Sequence, residues 1–178
     1  MQIVNFLTTL TLVCNLLSVI GIIYLVVRHL KKLDFAEKIL IFIRKNAILL
    51  AFIVALTATS GSLFLSEGLG LTPCKLCWLQ RIFMYPQAII LWVAFVSQDN
   101  KVRKYVLPLC VVGGLIALYN YYIQFFPPPV AICSINAAED CSEKVILSYN
   151  YITIATMSFS ANLAIFILML LQKFSEKK

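Results

Sequence analysis

A chain of 178 residues that is 61% hydrophobic and 13% charged, with a mean hydropathy of +0.91, is too apolar to be a soluble domain around one buried core. That composition excludes a water-soluble enzyme and implies an integral membrane protein. The net charge of +7 does not point to nucleic acid, which would need a basic soluble face; its placement along the chain has another use.

Crossing a hydrocarbon layer of about 30 Å takes about 20 apolar residues at roughly 1.5 Å each. Five runs reach that length: Ile3 to Val27, Ala47 to Leu65, Trp78 to Val96, Tyr105 to Phe126 and Tyr149 to Leu171. Each is expected to be a helix, because an isolated strand leaves its backbone groups without partners in lipid. The first run lacks the basic start of a secretory signal and is followed by positive charge, so it reads as a retained span. The expected fold is an all-α integral membrane protein: a four-helix transmembrane bundle over 47–178, preceded at 1–46 by an additional transmembrane helix and a basic linker.

The linker "RHLKKLDFAEKILIFIRKN" either lies along the membrane surface or begins the second helix early. Pro86 falls inside the third helix, where it should kink it, and Pro127, Pro128 and Pro129 stop the fourth. Twelve of the 15 Lys and Arg residues fall on one side: Arg28, Lys31, Lys32, Lys38, Arg44 and Lys45 after the first run, Lys101, Arg103 and Lys104 after the third, and Lys173, Lys177 and Lys178 in the tail. That side should be cytoplasmic, which puts the N-terminus and the loops "SEGLGLTPCKLC" and "PPPVAICSINAAEDCSEK" outside, with the C-terminus inside. His29, the only histidine, reads as an ordinary polar neighbour in the basic stretch.

This topology sorts the six cysteines. Cys74 and Cys77 in the first outer loop, and Cys133 and Cys141 in the second, lie on the oxidising side; Cys14 and Cys110 fall within spans, as small buried hydrophobes. Cys133 and Cys141, with seven residues between them, suit an ordinary loop disulfide. Cys74 and Cys77 do not, since Cys-x-x-Cys constrains little and is a frequent redox motif. Cys77 is expected in the first turn of the third helix, where the amide ends favour a thiolate, and Arg81 sits four residues on, one turn deeper on the same face. A fixed charge at such depth is costly, so Arg81 either snorkels to headgroups or stabilises negative charge at Cys77 and on a polar ligand head.

Two dithiol pairs on one side allow a relay, in which an external thiol reduces one disulfide and electrons pass to the second by exchange. No dinucleotide, haem or iron–sulfur motif is present to take them, whereas a membrane quinone needs none. Two other readings stand beside this one: a four-cysteine zinc site, and incidental structural disulfides.

The segment "PCKLCWLQRIFMYP", Pro73 to Pro86, strongly resembles the first redox motif of the disulfide bond formation protein B (DsbB) family, closest to its short Gram-positive-type members. "LFLSE" before it, "KYVLP" at the head of the next helix and "CSE" after the last loop cysteine fit as well, so the resemblance spans about residues 47 to 173. It implies a protein that reoxidises an extracytoplasmic DsbA-like thiol oxidase and passes the electrons to a membrane quinone, ubiquinone or menaquinone. It further implies that Cys133 forms the mixed disulfide with the partner, that Cys141 transiently pairs with Cys74, and that Cys77 faces the quinone with help from Arg81. A DsbA-type partner near about −120 mV cannot be recharged by a glutathione pool near about −200 mV, because about 80 mV on a two-electron couple is about 3.7 kcal/mol uphill. The second loop is shorter than in Gram-negative members, and the family core has four helices, so the first span is an addition. A vitamin K epoxide reductase-like enzyme uses similar logic, but its cysteine order differs.

Overall fold

The structure is a computed structural model that describes residues 8, 9, 11–13, 15, 16, 37–126 and 152–173, with side chains at 8, 9, 11–13, 15, 16, 41–126 and 152–172. Its helices are α1 (Glu37–Lys45), α2 (Ala47–Leu63) continuing through a π-helical turn (Phe64–Gly68), α3 (Lys75–Ser97), α4 (Arg103–Phe125) after a short 3-10 turn (Asn100–Val102), and α5 (Ile154–Lys173). Four of these stretches, Ala47–Gly68, Lys75–Ser97, Asn100–Phe125 and Ile154–Gln172, are long and apolar enough to span a membrane. The chain is a multi-pass, all-α membrane protein, as its hydropathy implies.

α2, α3, α4 and α5 pack in a ring: each lies against the next, and α5 closes on α2. Small side chains set the spacing. Ala47, Ala51 and Ala55 recur every fourth residue of α2 and are all buried, which lets the neighbouring backbones approach where lipid gives no hydrophobic drive between helices. Gly113 does the same on α4, since a Cβ there would meet Asn162 Oδ1 at 3.0 Å and Phe83 Cβ at 3.3 Å. Leu91, Val106, Ile165 and Met169 fill the centre, while Ile89, Val93, Val96 and Leu115 turn outward as a lipid-facing surface.

A buried polar set crosses this apolar middle. Gln87 Nε2 donates to Asn162 Oδ1 at 3.0 Å, Asn162 Nδ2 to the Ser158 carbonyl at 2.9 Å, and the Cys110 thiol to Gln87 Oε1 at 3.4 Å. Cys110 is 3% exposed within the core, in agreement with a packing role. Cys14 lies outside the described residues.

The part of the linker that the structure describes, residues 37–46, is helical over Glu37–Lys45 and runs into the first span of the ring, which agrees with an early helix start; residues 28–36 lie outside the described residues. Backbone bonds run from Asn46 N–H to the Phe42 carbonyl and from Leu50 N–H to the Asn46 carbonyl, so α1 leads into α2, and Ile43 packs near Ile167 and Leu171 of α5. α5 begins at Ile154, later than its apolar run, because Thr153 and Thr156 cap each other there: Thr153 N–H donates to Thr156 Oγ1 at 2.6 Å, and Thr156 N–H to Thr153 Oγ1 at 3.4 Å. Of the first run, the described residues are helical, and Ser160 Oγ on α5 donates to Asn15 Oδ1 at 2.5 Å.

Helix order places the start of α3, the π turn, the end of α4 and the start of α5 at one end of the bundle. Arg44, Lys45, Lys101, Arg103 and Lys104 cluster at the other, where Gln172 Nε2 donates to Asn100 Oδ1 at 3.2 Å.

Candidate functional site around Cys74 and Cys77

Pro73 and Cys74 stop the chain just short of α3, with Cys74 in an extended conformation (φ −66°, ψ 168°) at the N-cap. An N-cap side chain folds over the helix start and accepts from the third helical amide. The third residue here is Cys77, and its N–H points at Cys74 Sγ at 3.4 Å. The amide ends of α3 therefore act on Cys74, not on Cys77, where the sequence placed them. The Cys74 and Cys77 sulfurs also lie 2.9 Å apart, within hydrogen-bond reach, so the two are a dithiol with adjacent sulfurs. The Cys74 thiol is lowered from 9.0 to about 7: the hydrogen bond from the Cys77 thiol is the largest cause, burial opposes it, and the backbone amides of Cys77 and Leu76 add to the lowering.

Arg81 lies one turn beyond Cys77 as expected, but it is tied elsewhere. Its Nε donates to Ser62 Oγ at 3.0 Å and its Nη2 to the Ser62 carbonyl at 3.1 Å, while the guanidinium lies 5.3 Å from the Trp78 ring centre. Tyr85 Oη joins the same hydroxyl at 3.4 Å. Just beyond Ser62 the helix widens into the π turn at Phe64–Gly68, with Leu69 N–H reaching the Phe64 carbonyl at 3.2 Å, and the Ser66 hydroxyl also donates to the Ser62 carbonyl at 3.4 Å.

The donor that reaches Cys77 comes from α4: Asn120 Nδ2 lies 3.8 Å from Cys77 Sγ. Leu76 and Ile123 pack together beside Cys74 and Ile116, which fixes α3 against α4 at this level. Trp78, 54% exposed, flanks the site on the lipid side. The structure thus brings Cys74, Cys77 and Arg81 to one end of the bundle, and adds Ser62 and Asn120, which hydropathy patterning did not single out. Cys133 and Cys141 lie outside the described residues; the helices flanking their connection, α4 and α5, end and begin at this same end.

Comparison with known proteins agrees with the motif. The family model "Disulfide bond formation protein DsbB" matches residues 44–172. The chain is 36% identical over 138 residues to the "Probable disulfide formation protein C 2" of Bacillus cereus, covering 77% of this chain and 98% of that protein. It is 39% identical over 123 residues to the "Disulfide bond formation protein C" of Bacillus subtilis, covering 69% and 89%. It is 36% identical over 123 residues to a "Probable disulfide formation protein" of Coxiella burnetii, covering 68% and 83%. No solved structure matches the chain.

Proposed function

Since the chain belongs to the disulfide bond formation protein DsbB family, we propose that it is a membrane thiol:quinone oxidoreductase that reoxidises a DsbA-like thiol oxidase. The observation that carries this reading is the Cys74–Cys77 dithiol at the head of a membrane helix, its sulfurs adjacent and the Cys77 N–H turned onto Cys74 Sγ. The basic residues at the opposite end of the bundle support a cysteine end facing outward from a bacterial cytoplasmic membrane, with the N-terminus outside and the C-terminus cytoplasmic. Residues 1–46 we assign to an added N-terminal span and linker, and 47–178 to the family's four-helix domain; the family match begins at residue 44.

The proposed cycle uses thiolate exchange throughout. A thiolate of the reduced partner attacks Cys133 of a Cys133–Cys141 disulfide and expels Cys141 as a thiolate. Cys141 then attacks Cys74 of the oxidised Cys74–Cys77 pair, and the electron pair of the broken bond stays on Cys77. The partner's second thiolate releases it from Cys133 as a disulfide, leaving two reducing electrons in this chain. Restoring both disulfides removes two electrons and two protons from the chain, and a bound quinone would supply the acceptor for them.

The residues at the start of α3 fit a quinone head. Arg81 is a fixed cation with its guanidinium oriented by Ser62, Trp78 offers a ring at the lipid boundary, and Cys77 lies one turn away. Arg81 and Trp78 would hold the head group, and the apolar outer face of α3 would meet its tail.

The direct test is anaerobic mixing of purified protein with a reduced DsbA-like protein and a soluble quinone, following quinone absorbance. Stoichiometric quinone reduction that requires Cys77 is expected. Partner oxidation without quinone reduction would reject the proposal.

A further inference from the structure

Asn120 is a polar group for which the proposed cycle has no use. It is 0% exposed on α4, and among the described residues its side chain makes a single hydrogen bond, from Nδ2 to Cys77 Sγ at 3.8 Å, and its Oδ1 has no partner. Two more amides are buried on these helices. Among the described residues, Gln80, nearly a turn deeper than Cys77 on α3, keeps an unpartnered Nε2, and Gln124, one turn nearer the cysteine end than Asn120 on α4, keeps an unpartnered Oε1. The Leu76–Ile123 contact fixes this register between the two helices. Amide groups buried with unmade hydrogen bonds cost free energy, and an apolar residue at any of the three positions would avoid that cost. At Asn120 that cost falls directly beside a reacting sulfur, which points to a polar group kept there for it.

We infer that Asn120 is a positioning residue for Cys77, whose amide N–H holds the sulfur from the facing helix and supports the charge it receives when the Cys74–Cys77 disulfide opens. The inference rests on the reading of these two cysteines as a redox pair. When a thiolate attacks Cys74, a new S–S bond forms to Cys74, the bond to Cys77 breaks, and the electron pair stays on Cys77 as a thiolate. That charge develops beside Asn120, whose N–H already points at the sulfur, whereas the Arg81 guanidinium is directed at Ser62 and Trp78. An N–H···S bond strengthens as the sulfur gains charge, so Asn120 favours the opened pair over the disulfide.

The experiment measures the thiol–disulfide equilibrium of the Cys74–Cys77 pair in the purified full-length protein against dithiothreitol, without quinone or partner, by acid trapping and mass spectrometry. Asn120→Leu and Asn120→Ala, which remove the donor, are expected to shift the equilibrium about tenfold toward the disulfide, equivalent to about 30 mV for this two-electron couple. Asn120→Gln, which keeps the N–H, should stay within about threefold of the parent. The Ala variant, smaller than the parent residue, carries the test where Leu does not fold. A parental equilibrium in the donor-free variants, or equal shifts in all three, would overturn the inference. A parent pair that forms no disulfide under any oxidising condition would instead reject the redox reading on which it rests.

Discussion

Ser62→Ala tests whether Arg81 works as a fixed group or merely as a charge. The substitution removes one of two tethers, the Nε bond to Ser62 Oγ at 3.0 Å, and leaves the other, Nη2 to the Ser62 carbonyl at 3.1 Å. It also removes the partner of Tyr85 Oη. Hydrogen bonds to charged groups contribute about 1.5 to 3 kcal/mol. Ser62 is half-buried, so the lower figure applies, and about 1.4 kcal/mol corresponds to a tenfold change in an equilibrium constant. Losing this tether should therefore raise the KM for a soluble quinone about tenfold, with kcat and the thermal midpoint little changed. Arg81→Met, which loses both tethers and the charge, should raise it further, toward about a hundredfold. Arg81→Lys should fall between the two, since an ammonium cannot span the hydroxyl and the carbonyl as a planar fork does. The assay is steady-state quinone reduction in detergent with saturating reduced partner. An unchanged KM in Ser62→Ala beside a raised one in Arg81→Met would show that the tether is irrelevant, and unchanged values in both would return Arg81 to a snorkelling role.

Three further outcomes are expected. In the reduced protein, alkylation of Cys74 by iodoacetamide should rise through a midpoint of about 7, and Cys77→Ala should move that midpoint upward, because the Cys77 thiol is the largest lowering cause; an unmoved midpoint would refute that assignment. The same shift makes the reduced form gain stability as pH rises from about 7 to about 9, a gain lost as pH falls through 7, readable from thermal midpoints across that window. Gly113→Ala should destabilise the bundle by about 1 to 3 kcal/mol, because the new methyl pushes Asn162 Oδ1 off Gln87; an unchanged midpoint would show that α4 and α5 adjust freely. Cys133→Ala should abolish oxidation of the partner while the Cys74–Cys77 disulfide stays reducible by small thiols, and continued partner turnover would reject its assigned role.

The spans were legible because lipid leaves one solution for an apolar run, and each described helix lies within a few residues of its run, apart from the later start of α5. The motif was legible because its residues are adjacent in sequence. Ser62 and Asn120 were not, since hydropathy says that α2 and α4 cross the membrane without saying which residue of each faces α3. The sulfur at the amide ends was misplaced for a smaller reason. Cys77 does sit in the first turn, but cysteine is not among the residues ordinarily recognised as an N-cap, and the cap position is the one that the third amide serves. The π turn at Phe64–Gly68, just beyond the serine that holds Arg81, left no compositional mark.

Thiol acidity and the proposed direction of electron flow pull against each other. In exchange the more acidic thiol is the better leaving group, so with Cys74 titrating near about 7 an incoming thiolate would by that rule strike Cys77 and expel Cys74. The proposed cycle needs the opposite, attack at Cys74 with departure of Cys77. Geometry supplies two counterweights. Cys74 caps the end of α3 at the same end of the bundle from which the connection carrying Cys133 and Cys141 departs, while the Cys77 sulfur is turned toward α4. Asn120 then supports Cys77 as the departing sulfur. The choice between the two sulfurs then belongs to α4 as much as to the Cys-x-x-Cys itself. Glutathione added to the oxidised protein should form its mixed disulfide mainly at Cys74, and Asn120→Leu should move a measurable fraction of the adduct to Cys77; an adduct distribution indifferent to residue 120 would leave access alone to set the direction.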